Sequence, residues 1–220
     1  MSLLSRITVV GGTGYAGSAI VAQAASRGHH VTALSRGVPH TPNADVTYVQ
    51  GDATDAATLS SVIADAEVVV AALAPRGPLA HTFRDVNRII AQQAHAAAAR
   101  LFVVGGYSSL RPAPGAPRFV SDLTHIPAEI QDEVLAGAAL IIEDLPATPE
   151  GLSWVFVSPA LGFGAHAPIE PLGHYELGDD VAVEPDTGGA ISAADYALGF
   201  VDLIEDPARR RAHVNLGNPI

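Results

Sequence analysis

Cysteine does not occur among the 220 residues. Its absence excludes a disulfide framework, a thiolate nucleophile and any zinc site built on cysteine, and it fits a reducing compartment. Lysine is missing as well: all twelve basic residues are arginine, so chemistry resting on a lysine ammonium is closed to this chain. Positive charge is scarce throughout, with 12 basic against 23 acidic residues and a formal net charge of −11. Sequence-independent nucleic-acid binding needs a field of basic side chains and is not expected. The one basic run, Arg209–Arg211, reads as a solvated turn before the last strand. No stretch of about 20 apolar residues exists to span a bilayer, and the N-terminus enters a strand at once without a signal-peptide pattern. The expectation is a cytoplasmic protein with no membrane partner. None of the nine histidines falls in HExxH spacing, so no metal site is expected. No G-x-S-x-G elbow appears, which removes an α/β-hydrolase reading.

What is present alternates. Short apolar runs rich in β-branched residues, at Ile7–Gly11, His30–Leu34, Val46–Gln50, Val68–Ala72, Leu101–Gly105 and Trp154–Ser158, are separated by helical segments. The helices are read at Tyr15–Arg27, Ala56–Ala64, Leu79–Ala99 and Pro127–Leu145. Nearly uniform apolarity marks strands buried on both faces, and the alternation predicts a parallel sheet covered by crossover helices. After the sixth strand the rhythm changes. A Pro/Gly-rich loop leads to Tyr175–Leu177, then to a helix near Ala193–Ile204 with Asp195 in its first turn, and to a short strand at His213–Leu216. No linker divides the chain, so residues 1–220 are read as one domain, with 160–220 an extension forming a substrate-side wall.

The strongest motif is Ile7-Thr-Val-Val-Gly-Gly-Thr-Gly-Tyr-Ala-Gly17, a buried strand turning through glycines into a helix. Gly11 permits the tight turn, Gly14 lets backbone approach a pyrophosphate, and Gly17 lets helix and strand pack closely. Thr13, Tyr15 and Ala16 lie at the helix N-terminus, whose free N–H groups and positive dipole end suit phosphate. The second strand ends in Ser35-Arg36, where an NAD-selective site usually carries an acid on the adenosine ribose. Arginine there suits a 2′-phosphate and favours NADP(H). An arginine stacked on adenine, or merely solvated, keeps NAD(H) open.

Further strand ends add candidates. Asp52, followed by Ala53, is placed to accept from the adenine amino group, while Asp55 reads as a helix N-cap. The small residues around Ala72 and Leu73 would let a dinucleotide lie against the fourth strand. Gly105 and Gly106 lead to Tyr107, Ser108 and Ser109, the nearest candidates for orienting or polarising a substrate, with a plain serine-rich turn as the alternative. Backbone groups of Ser158, Pro159 and Ala160 are placed to meet the nicotinamide carboxamide, or simply end a strand. His125 reads as an exposed helix-entry histidine and Trp154 as core or its rim.

Taken together, Gly11-Gly-Thr-Gly-Tyr-Ala-Gly17, Arg36, Asp52, Gly105-Gly106 and Ser158-Pro159-Ala160 resemble the atypical short-chain dehydrogenase/reductase superfamily. Within it the chain is similar to small NADH-flavin reductase-like proteins, related to the NmrA-like and biliverdin reductase B types. Tyr175-Glu-Leu-Gly178 and Ile191-Ser-Ala-Ala-Asp-Tyr196 extend the likeness beyond the sixth strand. The resemblance implies a Rossmann doubly wound α/β sheet with a small C-terminal extension, bound NAD(P)H, and hydride transfer to a flavin, as substrate rather than prosthetic group, or to another small acceptor. The Tyr-x-x-x-Lys pair of better-known members is impossible without lysine, and the same absence counts against sugar-nucleotide epimerase or dehydratase chemistry. Flavin reduction passes this test, because hydride transfer between two stacked rings needs positioning more than a protein acid. A non-catalytic dinucleotide sensor and a quinone or small-carbonyl reductase are the rival readings, and the expected assembly is a monomer or homodimer.

Overall fold

The computed structural model describes residues 4–184 and 186–218. Its frame is one eight-stranded sheet: β1 (Arg6–Val10), β2 (His30–Ser35), β3 (Val46–Gln50), β4 (Val68–Ala71), β5 (Arg100–Val104), β6 (Trp154–Pro159), β7 (Glu176–Gly178) and β8 (Ala212–Gly217). The order across the sheet is β3-β2-β1-β4-β5-β6-β8-β7, parallel except for the β7–β8 pair at one edge. This is the Rossmann doubly wound arrangement. The chain winds outward from β1 in one direction and from β4 in the other, which opens a crevice between their C-terminal ends.

Five helices, α1 (Tyr15–Ser26), α2 (Ala56–Ile63), α3 (Phe83–Ala96), α4 (Ala128–Ala139) and α5 (Ala193–Glu205), accompany the strands. They divide the core in two. On one face Ile20, Val21 and Ala24 of α1 and Tyr196, Phe200 and Val201 of α5 pack with Ile7, Val9 and Val155 of the sheet. On the other, Leu59 of α2 and Val86, Ile90 and Ala94 of α3 pack with Val10, Val69 and Leu101. Alternate side chains of one strand thus feed opposite layers, as the pleat requires.

Most expected elements fall within a residue or two of their observed bounds. Two helices are shorter. The segment expected from Leu79 starts instead with a single tight turn at Gly77–Leu79, and α3 begins only at Phe83. The helix expected through Leu145 is α-helical to Ala139 and then widens into a π-turn at Leu140–Asp144, where the Leu145 N–H donates to Leu140 O at 2.8 Å. Among the described residues no helix is long and apolar enough to cross a membrane.

The 160–220 segment, of which residues 185, 219 and 220 lie outside the described residues, supplies β7, α5 and β8 to the same sheet and core. Arg211 is no solvated turn residue. Its guanidinium reaches the carbonyls of Pro146, Pro149 and Leu152 and lies over the Trp154 ring, while Arg209 pairs with Asp179. The loop before β7 is pinned from beneath by Asp195, which is 1% exposed. Its carboxylate accepts from Leu172 N, Gly173 N and Ser192 Oγ, each at 2.8 Å, while Ser192 caps α5. Asp195→Ala should therefore lower stability by about 3 kcal/mol, as expected when a buried charge that holds several donors is removed. The readout is the urea midpoint at unchanged m-value, with Asp195→Asn losing less.

Candidate functional site

The strand C-termini open into a cleft of about 890 Å³. Its floor is the turn after β1. Gly11 has φ +89°, and a Cβ there would sit 2.3 Å from Ala72 O; a Cβ on Gly17 would sit 2.2 Å from Gly11 O. Helix, turn and β4 approach so closely that only glycine fits at either position. Gly12 is equally constrained, with its Cβ position 2.7 Å from that of Ala33, a requirement the spacing of the motif does not reveal. Gly14 differs: the nearest atom to an added Cβ is Gly11 O at 3.3 Å, so its role is to leave the helix end bare. As N-cap of α1 it offers no side chain to the first-turn amides, and no carboxylate stands in that turn. Uncapped N–H groups above a glycine cradle fit a pyrophosphate.

The end of the cleft beside β2 and β3 carries charge. Arg36 follows β2, is exposed, and makes no ion pair among the described residues. Asp52 stands near it. The Thr54 N–H and hydroxyl, both at 2.9 Å, hold the Asp52 carboxylate below the usual carboxylate range, with a smaller pull from Arg36. Asp55 caps α2 as expected, accepting from Ala57 N at 3.0 Å.

The opposite end is walled differently. The Tyr107 ring stacks on Phe119, with centroids 4.8 Å apart and 19° between planes, and burial pushes its phenol pKa up. Ser108 is half-buried and Ser109 only 2% exposed. Facing them, Leu161, Phe163 and His166 enter from the segment after β6, and Glu133, Val134 and Gly137 from α4. Phe163 is itself fixed, edge-on to Tyr15 and packed against the buried Tyr196. At the rim the Arg76 guanidinium, from the loop after β4, binds the Glu133 carboxylate.

Of the residues expected at the site, Gly11, Thr13, Gly14, Tyr15, Ala16, Ser35, Arg36, Asp52, Ala53, Ala72, Leu73, Gly105, Gly106, Tyr107, Ser108, Ser109, Pro159 and Ala160 line this one cleft. Gly17 and Ser158 do not. Gly17 packs behind the floor, and Ser158, at 0% exposure, points its hydroxyl to Gly106 O at 2.9 Å. His125 is exposed outside the cleft, and Trp154, 6% exposed, belongs to the core. No group of three or more His, Asp or Glu is placed to hold a metal among the described residues.

Behind Gly106 lies a polar chain that motif reading missed, because its members are separated by 95 residues. Arg118 donates to His213 Nδ1 at 3.0 Å, and His213 Nε2 meets Ser158 Oγ at 2.9 Å. With Nδ1 accepting, the neutral ring carries its proton on Nε2 and donates to Ser158, which donates onward to Gly106 O. Burial, reinforced by the Arg118 charge, depresses the His213 pKa to about 3. A serine and histidine in this setting make no nucleophilic pair: the hydroxyl is sealed off, and the group orienting the ring is a cation that opposes its protonation. The chain orients the Gly106 carbonyl at the cleft wall.

A glycine cradle at the β1–β4 switch point, an uncapped helix end and a charged end beside β2 and β3 define a dinucleotide-binding protein. The chain matches the profile of the NAD(P)H-binding family over residues 11–207 and belongs to that family. It lies within the atypical short-chain dehydrogenase/reductase superfamily. It is 30% identical over 208 residues to the uncharacterized protein YwnB of Bacillus subtilis, covering 93% of this chain and 94% of YwnB. Among solved structures, a "putative epimerase" from Bacteroides thetaiotaomicron superposes with a TM-score of 0.86 at 27% identity, covering 99% of both chains. A "putative NADH-flavin reductase" from Streptococcus pneumoniae superposes with a TM-score of 0.84 at 27% identity, covering 98% of this chain and 100% of that one.

His213 makes stability depend on pH. Above the ordinary histidine value near 6.5 both folded and unfolded chains are neutral at this ring. As pH falls from about 6.5 toward 3 only the unfolded chain takes the proton, so stability drops by up to about 1.4 kcal/mol per unit. His213→Gln, which keeps a donor toward Ser158, should flatten this acid limb when urea midpoints are compared at pH 7, 5.5 and 4.5.

Proposed function

We propose that the protein is an NAD(P)H-dependent oxidoreductase that reduces a flavin or similar flat acceptor, with NADP(H) as the preferred cofactor. The observation that carries the reading is the contrast between the two ends of the cleft. One end offers Arg36 and Asp52; the other is walled by Tyr107, Leu161, Phe163 and Val134, with the Glu133 carboxylate beside them bound to Arg76. Bound at such a site, the reduced nicotinamide supplies a hydride at its C4. The chain's part is then positioning: the glycine cradle and α1 amides hold the pyrophosphate, Pro159 and Ala160 back the ring, and the apolar wall excludes water from the acceptor. The likeness to a "putative NADH-flavin reductase" supports the same reaction class.

NADPH oxidation by the purified protein, followed with FMN, FAD, riboflavin and a quinone as separate acceptors, tests this directly. Turnover with a flavin is the expected result. Tight dinucleotide binding with no turnover on any acceptor would instead mark a sensor. Arg36→Ala should weaken NADPH binding by about 1.5–3 kcal/mol while barely changing NADH, as loss of a hydrogen-bonded charge predicts. Equal weakening of the two would remove Arg36 from the 2′-phosphate.

One feature favours a second reading. The Tyr107 phenol lines the cleft beside Ser109 and carries a proton it could give to a quinone or small carbonyl, although burial raises its pKa and makes it the weaker acid. Tyr107→Phe and Ser109→Ala separate the two chemistries. A proton-donor enzyme loses turnover by orders of magnitude, whereas a flavin reductase that only positions its rings keeps most of it.

A further inference from the structure

The acceptor end of the cleft holds a cation whose hydrogen-bonding capacity is only partly used. Arg36 and Arg76 are the arginines that line the cleft among the described residues, and Arg36 stands at the far end, beside β2 and β3. Arg76 sits on the loop after β4, where that loop meets α4 at the rim. Its backbone is stiff. Pro75 and Pro78 flank it, the Arg76 N–H donates to Ala74 O at 2.8 Å, and Gly77 turns the chain with φ +57°. Pyrrolidine rings fix φ close to the arginine, so little chain freedom is left to lose when a ligand binds.

The guanidinium is aimed as well as anchored. Nε, at 3.1 Å, and Nη2 both donate to a single oxygen of Glu133, Oε1. The Glu133 side chain is 25% exposed and that of Arg76 71% exposed, so the carboxylate is the fixed member of the pair and the guanidinium the accessible one. A guanidinium carries five N–H donors in one plane. The side edge, Nε with Nη2, is taken by Glu133; the end edge, Nη1 with the second hydrogen of Nη2, has no partner among the described residues. Two parallel N–H groups on a braced fork match two oxygens of a phosphate or carboxylate, whereas a lone neutral carbonyl uses only one of them. The chain as a whole carries −11 and repels anions, which leaves this edge as the place where an anion is welcome at the acceptor end.

We propose that Arg76 selects, among flat acceptors, those with an anionic tail such as the phosphate monoester of FMN, binding two of its oxygens through the free end edge while Glu133 keeps the side edge. The inference rests on the flavin-reducing reading of the cleft and adds the charge class of the acceptor. The dinucleotide brings phosphates of its own, but the glycine cradle and the α1 amides are placed for its pyrophosphate. Arg76 is tied instead to α4, whose Val134 and Gly137 wall the acceptor end.

FMN and riboflavin share the ring and differ by the phosphate, so their comparison is the test. For the wild type, Arg76→Gln and Arg76→Lys, kcat/KM of each flavin is measured with NADPH, and the dissociation constant of each is read from flavin fluorescence with the protein saturated in NADP+. The wild type should prefer FMN about tenfold, as one charge-assisted contact at an exposed site allows. The preference should lie in KM rather than kcat and shrink as ionic strength rises. Arg76→Gln should bring the ratio close to one, and Arg76→Lys, which keeps the charge but not the fork, should fall between. Because the ion pair is exposed, both variants should keep a thermal midpoint near that of the wild type. Equal binding and turnover of the two flavins by the wild type overturns the inference, as does an FMN preference that survives in Arg76→Gln. A loss of NADPH affinity in Arg76→Gln with the FMN preference intact also overturns it and assigns Arg76 to the dinucleotide. Each of these results leaves flavin reduction standing. If neither flavin is bound or turned over, the flavin-reducing reading fails and the inference falls with it.

Discussion

Everything in this structure is arranged around one contact that excludes side chains. The turn after β1 must pass between the Ala72 carbonyl just beyond β4 and the first turn of α1, and the space left at Gly11 and Gly17 is shorter than a carbon–oxygen contact allows for any Cβ. Because α1 is drawn so tightly against β1, its amides point into the crevice rather than into solvent. Because β4 is drawn equally close, the ends of β1 and β4 share one floor. The switch point of the sheet is a topological fact, but its value as a binding site comes from this packing.

On that floor the cleft divides into chemically distinct halves. The half near β2 and β3 displays Arg36, exposed and without an ion pair among the described residues, and a carboxylate kept ionised by a threonine. The half near β5 and β6 is lined by rings and aliphatic groups, and its polar groups are largely engaged. Ser158 and His213 hold the Gly106 carbonyl, while Arg118 holds both His213 and the Ser109 carbonyl. A wall organised in this way orients a ligand well and offers few groups for acid–base work. That contrast separates a positioning enzyme from one built on a catalytic pair.

The absence of lysine has a structural counterpart. Arginine forks serve as clamps on backbone carbonyls: Arg100 on Ile204 and Asp206 at the end of α5, Arg211 on the loop between the π-turn and β6, and Arg118 on Ser109. A planar guanidinium reaches several carbonyls at fixed angles, which an ammonium does less well. The Arg100 and Arg211 clamps fasten α5 and the loop before β6 at the N-terminal end of the sheet, and only Arg118, on Ser109, holds a segment that lines the cleft.

Local pattern carried much of this in advance. Short apolar runs rich in β-branched residues at Val68–Ala71 and Trp154–Ser158 read as doubly covered strands, and the glycine spacing from Gly11 to Gly17 announces a strand, a turn and a helix, because both signals are set by neighbours in the chain. The strand-end residues, Arg36, Asp52 and Gly105–Ser109 among them, were legible for the same reason. Other features depended on groups distant in sequence. Arg118, Ser158 and His213 meet only because β6 and β8 are adjacent in the folded sheet. Ser158 looks like a site residue in one dimension and lies behind the site in three, while Gly17 packs helix against strand as its place in the motif implies. The sequence by itself determined the class of fold and where its strands would end, since periodicity and glycine placement act over a few residues. Tertiary structure alone decided which side chains face the cleft and which are sealed behind it, because those depend on elements brought together across the whole chain.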